Sequence, residues 1–149
     1  MRNRGHRAFT LIEILIVVVI LGILASILIP QFANVSQDSR RTAELTTVQT
    51  LRNQITLYRV QHRDMNPSTT QFWTNLMATT DEYGNVGSDV IHKYGPYVAQ
   101  APVNPYNGLN TVEAVSAPGA IPTDADLEKK TVGFLYDVET GRIWATKGK

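Results

Sequence analysis

One run of residues constrains the chain more than any other: FTLIEILIVVVILGILASILIP at positions 9–30. Between positions 9 and 29 only Thr10, Glu13, Gly22 and Ser26 are not strongly apolar. As a helix this run is roughly 31 Å long at ~1.5 Å per residue. A bilayer core is about 30 Å thick, so the run is expected to cross a membrane once. Ahead of it stands MRNRGHRA, with Arg2, Arg4 and Arg7 and no acid. Positive charge beside a membrane segment stays in the cytoplasm. The N-terminus is therefore expected inside and everything after Pro30 outside. A cleavable secretory signal fits less well, because its apolar core is normally ~7–15 residues and carries no carboxylate.

Glu13 is the anomaly in this run. An ionisable group within a membrane segment is costly and marks a functional position by default. Its bland alternative is snorkelling to the headgroups, since Phe9 is little more than a turn away.

The pattern Arg7-Ala8-Phe9-Thr10-Leu11-Ile12-Glu13, continued by the apolar run through Pro30, resembles the N-terminus of type IV pilins and of the pseudopilins of type II secretion. The resemblance implies that a prepilin peptidase cuts between Ala8 and Phe9 and methylates the new Phe9 terminus. Gly usually precedes the cut in that family; here Ala8, also small, takes its place. The Phe9 amine and Glu13 would then be opposite charges at neutral pH. A buried charge is heavily penalised alone and much less when paired. Glu13 of one subunit meeting the Phe9 amine of the next would set the stagger of a filament. Pro30 removes a backbone hydrogen bond and Gly22 weakens the helix by about 1 kcal/mol relative to Ala. The resemblance implies that the helix melts between Gly22 and Pro30 on assembly.

The same resemblance implies a bacterial inner-membrane, single-pass location, with the C-terminal domain periplasmic and later part of a periplasmic or cell-surface filament. Its partners would be further copies of itself, the prepilin peptidase, an inner-membrane assembly platform, minor pseudopilins and, before assembly, membrane lipid. The chain has no Cys, so no disulfide is possible. Many type IV pilins close a C-terminal loop with one, which favours the pseudopilin reading. A type IV pilus subunit for adhesion, motility or DNA uptake is the first alternative. A membrane-anchored binding module that keeps its leader is the second.

Three segments follow: a leader at 1–8, a membrane and assembly helix at 9–30, and a pilin-like domain at 31–149. The fold class is α+β, with a long N-terminal helix packed on a small C-terminal antiparallel sheet. Leu45, Val48, Leu51, Ile55 and Tyr58 recur at steps of three and four, which predicts an amphipathic helix to about Arg63 with that stripe on the core. Pro67 stops it. Ser68 or Thr69 caps a short helix through about Ala78, with Phe72, Trp73, Leu76 and Met77 as its apolar face. Turn chemistry crowds the region from 79 to 122. Residues 111–115 form a candidate strand. The end reads as a hairpin, with Val132, Phe134 and Tyr136 alternating, then Ile143 and Trp144, joined by a turn in which Gly141 supplies positive φ.

The chain carries 14 basic and 13 acidic residues, a net charge of +1. Loss of the three leader arginines leaves 11 basic against 13 acidic, about −2. Neither value marks a nucleic-acid binder, and none is expected as a partner. His6, His62 and His92 lack the spacing of zinc ligands, and no nucleophile motif is present, so no enzyme is expected. Asp124, Asp126 and Glu128 alternate in a polar loop at 116–130, and oxygens so spaced can hold Ca2+. Major pseudopilins commonly bind Ca2+ in a C-terminal loop. A solvated acidic loop is the default against which that calcium site stands.

Overall fold

The computed structural model describes residues 9–148, with the side chains of residues 30–34 left undescribed. The chain divides into two compact units, Met1–Ser39 and Arg40–Lys149. Helix α1, Leu11–Gln61, supplies most of the first and enters the second.

Within the first unit, residues Leu11–Ile29 have a mean hydropathy of 3.1 and none is buried. At ~1.5 Å per residue they extend about 29 Å, long and apolar enough to cross a membrane. Branched aliphatics lose some χ1 freedom in a helix. Inside lipid, however, helix is the single-chain conformation that satisfies every backbone polar group. A lipid surrounding would thus override a mild propensity.

The second unit builds its core on one stripe of α1. Val48, Leu51, Ile55 and Tyr58 are buried there, joined one turn later by His62. Leu45, at the right spacing for this stripe, is instead exposed, because the core reaches along α1 only as far as Val48. The helix ends at Gln61, two residues before the expected stop. Arg63 (φ 55°) and Asp64 (φ 66°) then turn left-handed, and the Asp64 N–H bonds the Arg59 carbonyl at 3.0 Å. Such a left-handed exit satisfies carbonyls that the last turn leaves open.

Helix α2 is Phe72–Met77, shorter than expected. Neither Ser68 nor Thr69 is its N-cap; Gln71 is, without a side-chain bond. Ser68 Oγ instead accepts from the Gln71 N–H at 3.3 Å. Phe72 and Leu76 are buried, whereas Met77 is 40% exposed.

The sheet has three strands, β1 (Val112–Ala114), β2 (Phe134–Asp137) and β3 (Arg142–Ala145), in the order β1-β2-β3. β2 and β3 are the expected antiparallel hairpin, pairing Tyr136 with Ile143. β1 lies parallel to β2, with Val112 opposite Phe134. The sheet is therefore mixed, not purely antiparallel. The reason is the connection: a parallel neighbour needs a crossover, and residues 115–133 supply it, carrying the short helix α3, Asp124–Leu127. At the hairpin turn Gly141 has φ +70°. A Cβ there would lie 2.7 Å from Asn66 Oδ1, so the glycine serves both turn and close approach. Asn66 Nδ2 donates to the Val138 carbonyl at 2.9 Å and fastens the turn.

Phe134, Tyr136, Ile143 and Ala145 pack on the α1 stripe with Phe72 and Leu76, while Leu135 faces Val115 and Val132 in a second cluster. Polar groups inside this core are paired. His62 bonds the Tyr58 carbonyl at 2.7 Å and Thr80 Oγ1 at 2.8 Å. The Tyr97 hydroxyl donates to Gln61 at 2.6 Å. Burial first, then the neighbouring Tyr58, push its pKa up to about 12.

Candidate functional site

Phe9 and Glu13, the pair that the sequence singles out, stand at the start of α1. Phe9 precedes the helix and is 82% exposed. Thr10 stands at the N-cap and Glu13 at the third helical position. The Thr10 N–H and hydroxyl both donate to Glu13 Oε2, each at 2.8 Å. In return the Glu13 N–H donates to Thr10 Oγ1 at 3.3 Å. This is a capping box, in which two side chains satisfy donors that a helix start leaves open. The negative charge also sits at the positive end of the helix dipole. Glu13 therefore has a use within a single subunit that the sequence reading missed, although Thr-x-x-Glu spelled it out. Its Oε1 makes no hydrogen bond among the described residues and is free to meet a cation.

Gly22 has nothing within 4 Å of where a Cβ would lie. The backbone of α1 is continuous from Leu11 to Gln61, Pro30 included. Proline lacks an N–H, so the carbonyl of Ser26, four residues back, has no helical partner. The Ser26 hydroxyl also donates to the Ile23 carbonyl at 2.7 Å. Ser26 thus joins Gly22 and Pro30 as a local weakness, and sequence reading passed over it. Ala8 and the leader lie outside the described residues.

The acidic loop is ordered differently from expectation. Thr123 caps α3 by a second capping box: its hydroxyl donates to Asp126 Oδ2 at 2.7 Å and accepts the Asp126 N–H at 3.3 Å. Ser116 Oγ donates to Asp126 Oδ1 at 2.9 Å. These bonds, Thr123's first and then Ser116's, hold the Asp126 carboxyl below the usual carboxylate range. Helical residues two apart do not face each other, so Asp124 and Asp126 diverge. Among the described residues no group of three His, Cys, Asp or Glu could hold a metal ion. The Asp126 carboxylate is thus engaged by Thr123 and Ser116 within the subunit.

A family described as a prokaryotic N-terminal methylation motif matches residues 3–29. Proteins named type II secretion system core protein G match most of the chain. That of Pseudomonas aeruginosa is 32% identical over 106 residues, 71% of this chain and 72% of its own. That of Vibrio cholerae is 30% identical over 107 residues, 70% and 68%. That of Aeromonas hydrophila is 26% identical over 106 residues, 71% of each. No solved structure matches. An exposed apolar helix opened by a Thr–Glu capping box, a methylation motif over it, and these relatives along the rest lead to one assignment: the chain belongs to the type II secretion system core protein G family.

Proposed function

We propose that this protein is the structural subunit of a type II secretion pseudopilus, a helical filament that drives protein export across the outer membrane. The observation that carries the reading is Leu11–Ile29. This apolar surface is covered by none of the described residues of the subunit and suits two environments, lipid before assembly and like helices after it. The relatives' name favours a pseudopilus over a type IV pilus, a choice on which the N-terminal motif alone is neutral.

In this scheme the subunit waits as a single-pass protein of the inner membrane, N-terminus cytoplasmic. A prepilin peptidase cuts between Ala8 and Phe9 and methylates Phe9. Cleavage creates a cation, and Glu13 Oε1 is free to receive the one on a neighbouring subunit while Oε2 keeps the helix end capped. The assembly platform draws the helix from lipid, and minor pseudopilins complete the fibre. The backbone between Gly22 and Pro30, short of one hydrogen bond at Ser26, is where the helix unwinds as it packs. The role is mechanical rather than catalytic.

Mass spectrometry of the mature protein tests the first step: a methylated Phe9 terminus is expected, and an intact Met1 overturns the scheme. Deleting the gene is expected to strand the exported proteins in the periplasm. Normal export in the deletion strain refutes the secretion role.

A further inference from the structure

Two cations meet at the margin of the sheet. Arg142 and Trp144 stand at alternate positions of β3 and share one face, on which Trp144 packs against Val115, Val132 and Leu135. Arg52 reaches the same place from α1, and Ile121, 74% exposed, from the crossover between β1 and β2. These four residues line a pocket of about 310 Å3, and no acid does. The Trp144 ring is half-buried, held by the cluster beneath it and open toward the pocket.

Among the described residues neither arginine is paired with an acid; the ion pairs there use Arg59, Arg63 and Lys129. Arg52 lays Nε and Nη2 on the Ile143 carbonyl at 3.2 and 2.9 Å, which fixes the group in place. Two of its five N–H donors are spent and three remain. Asp137 stands opposite Arg142 across the ladder. Its carboxylate, however, is taken by Thr140 at 2.7 Å, Gly119 at 2.9 Å and Glu139 at 3.0 Å.

Two like charges on one pocket repel, and an anion between them removes that cost. A guanidinium presents a fork of N–H groups that matches the two oxygens of a carboxylate. Trp144 and Ile121 add apolar walls, which gain by being covered. The pocket therefore suits a carboxylate with an apolar group beside it. An Asp or Glu side chain holds its carboxylate at the tip of a stem, with no apolar branch. A free amino acid has the branch but also an ammonium group, which two arginines repel. The last residue of a polypeptide bears carboxylate and side chain on one carbon, and its nitrogen is an uncharged amide. A cavity of ~150 Å3 holds a benzene-sized group, so there is room for both parts.

We propose that the pocket of Arg52, Arg142, Trp144 and Ile121 receives the C-terminal residue of a polypeptide that ends in an apolar side chain. The carboxylate lies on the arginines and the side chain on the Trp144 ring. Capture needs a single subunit and does not rest on the filament reading.

The test is a titration of the full chain in detergent with N-acetyl-L-leucine, followed by NMR at the indole N–H of Trp144. A saturable shift is expected, with a Kd of about 1 mM, the level within reach of so small a ligand. The indole N–H of Trp73, which donates to the Asn110 carbonyl outside the pocket, is expected to stay still. Free L-leucine, which adds the ammonium, and N-acetyl-L-leucinamide, which lacks the carboxylate, are each expected to bind at least tenfold more weakly. Acetate, which lacks the apolar part, is expected to do the same. Arg142→Gln is expected to weaken N-acetyl-L-leucine at least tenfold at an unchanged melting temperature. No saturable shift up to ~10 mM, an amide or acetate that binds as well as the acid, or an Arg142→Gln chain that binds like the parent overturns the proposal.

Discussion

Replacing Asn104 by Ala is expected to unfasten the domain from the inside. Asn104 is fully buried. Its Nδ2 donates to the carbonyls of Gly133 and Thr146, both at 2.7 Å, and its Oδ1 accepts the Tyr106 N–H at 2.9 Å. Three bonds at a net of about 1 kcal/mol each disappear. Gly133 keeps a partner, because its carbonyl also accepts the Thr146 N–H at 3.1 Å. The Thr146 carbonyl has no second partner among the described residues, and orphaning it costs roughly 1–3 kcal/mol more. The sum is about 4–6 kcal/mol, a large share of the ~5–15 kcal/mol that holds a domain. At this chain length it corresponds to a fall in melting temperature of roughly 10–20 °C. The assay is thermal unfolding of the mature chain in detergent, followed through Trp73 and Trp144. Asn104→Asp separates bonding from volume, since it keeps the shape but turns an oxygen toward two carbonyls. It is expected to be at least as damaging as Ala. A fall under ~3 °C for Ala, or an Asp variant as stable as the parent, refutes the reasoning.

Glu13→Leu is expected to leave the subunit in the membrane and remove the register of the fibre; fibres of normal yield and symmetry, seen by electron microscopy, would contradict this. Asp81, Asp126 and Asp137 are all held below the ordinary carboxylate range. Bonds from Asn85 lower Asp81, bonds from Thr123 and Ser116 lower Asp126, and at Asp137 burial is outweighed by bonds from Thr140, Gly119 and Glu139. The folded state thus binds fewer protons there, so their contribution is complete above about pH 4 and drains away as pH falls through the lowered values; a melting temperature unchanged between pH 6 and pH 3 would argue against it. Calcium in place of chelator is expected to leave the melting temperature within a degree, and a clear rise would return an ion to the 124–128 turn. Thr10→Val is expected to fray the start of α1, read as faster amide exchange at residues 11–13; unchanged exchange would mean the capping box is idle.

Period and turn chemistry carried much of the architecture. The membrane run, the stripe from Val48 to Tyr58 and the hairpin around Gly141 are local patterns, and local patterns can be read without knowing the partner. What escaped was set by partners distant in sequence. Nothing near residues 111–115 announces that β1 runs parallel to β2, because pairing follows the crossover. Leu45 has the right spacing, but where a core stops is decided by what packs against it. Asn104 has the look of turn chemistry before Pro105, yet its buried hub links three segments far apart in the chain. The two capping boxes are a different case. Thr10-x-x-Glu13 and Thr123-x-x-Asp126 are short local signals of this kind, and they share their carboxylates with two more conspicuous patterns, the lone charge in the apolar run and the alternating acids at 124–128. For the candidate site, the types and spacing of Phe9 and Glu13 were legible because a carboxylate in a greasy run is too costly to stand there without a use.

One arrangement bears on how copies of such a molecule avoid pairing along their sheets. β3 forms an outer margin of the sheet, and Arg52 lays its Nε and Nη2 on the Ile143 carbonyl there, at 3.2 and 2.9 Å. A carbonyl held by a guanidinium is not offered to a foreign strand, and a fixed positive charge repels its like. Crowded copies are thereby denied a ribbon-like, dead-end zippering along their sheets.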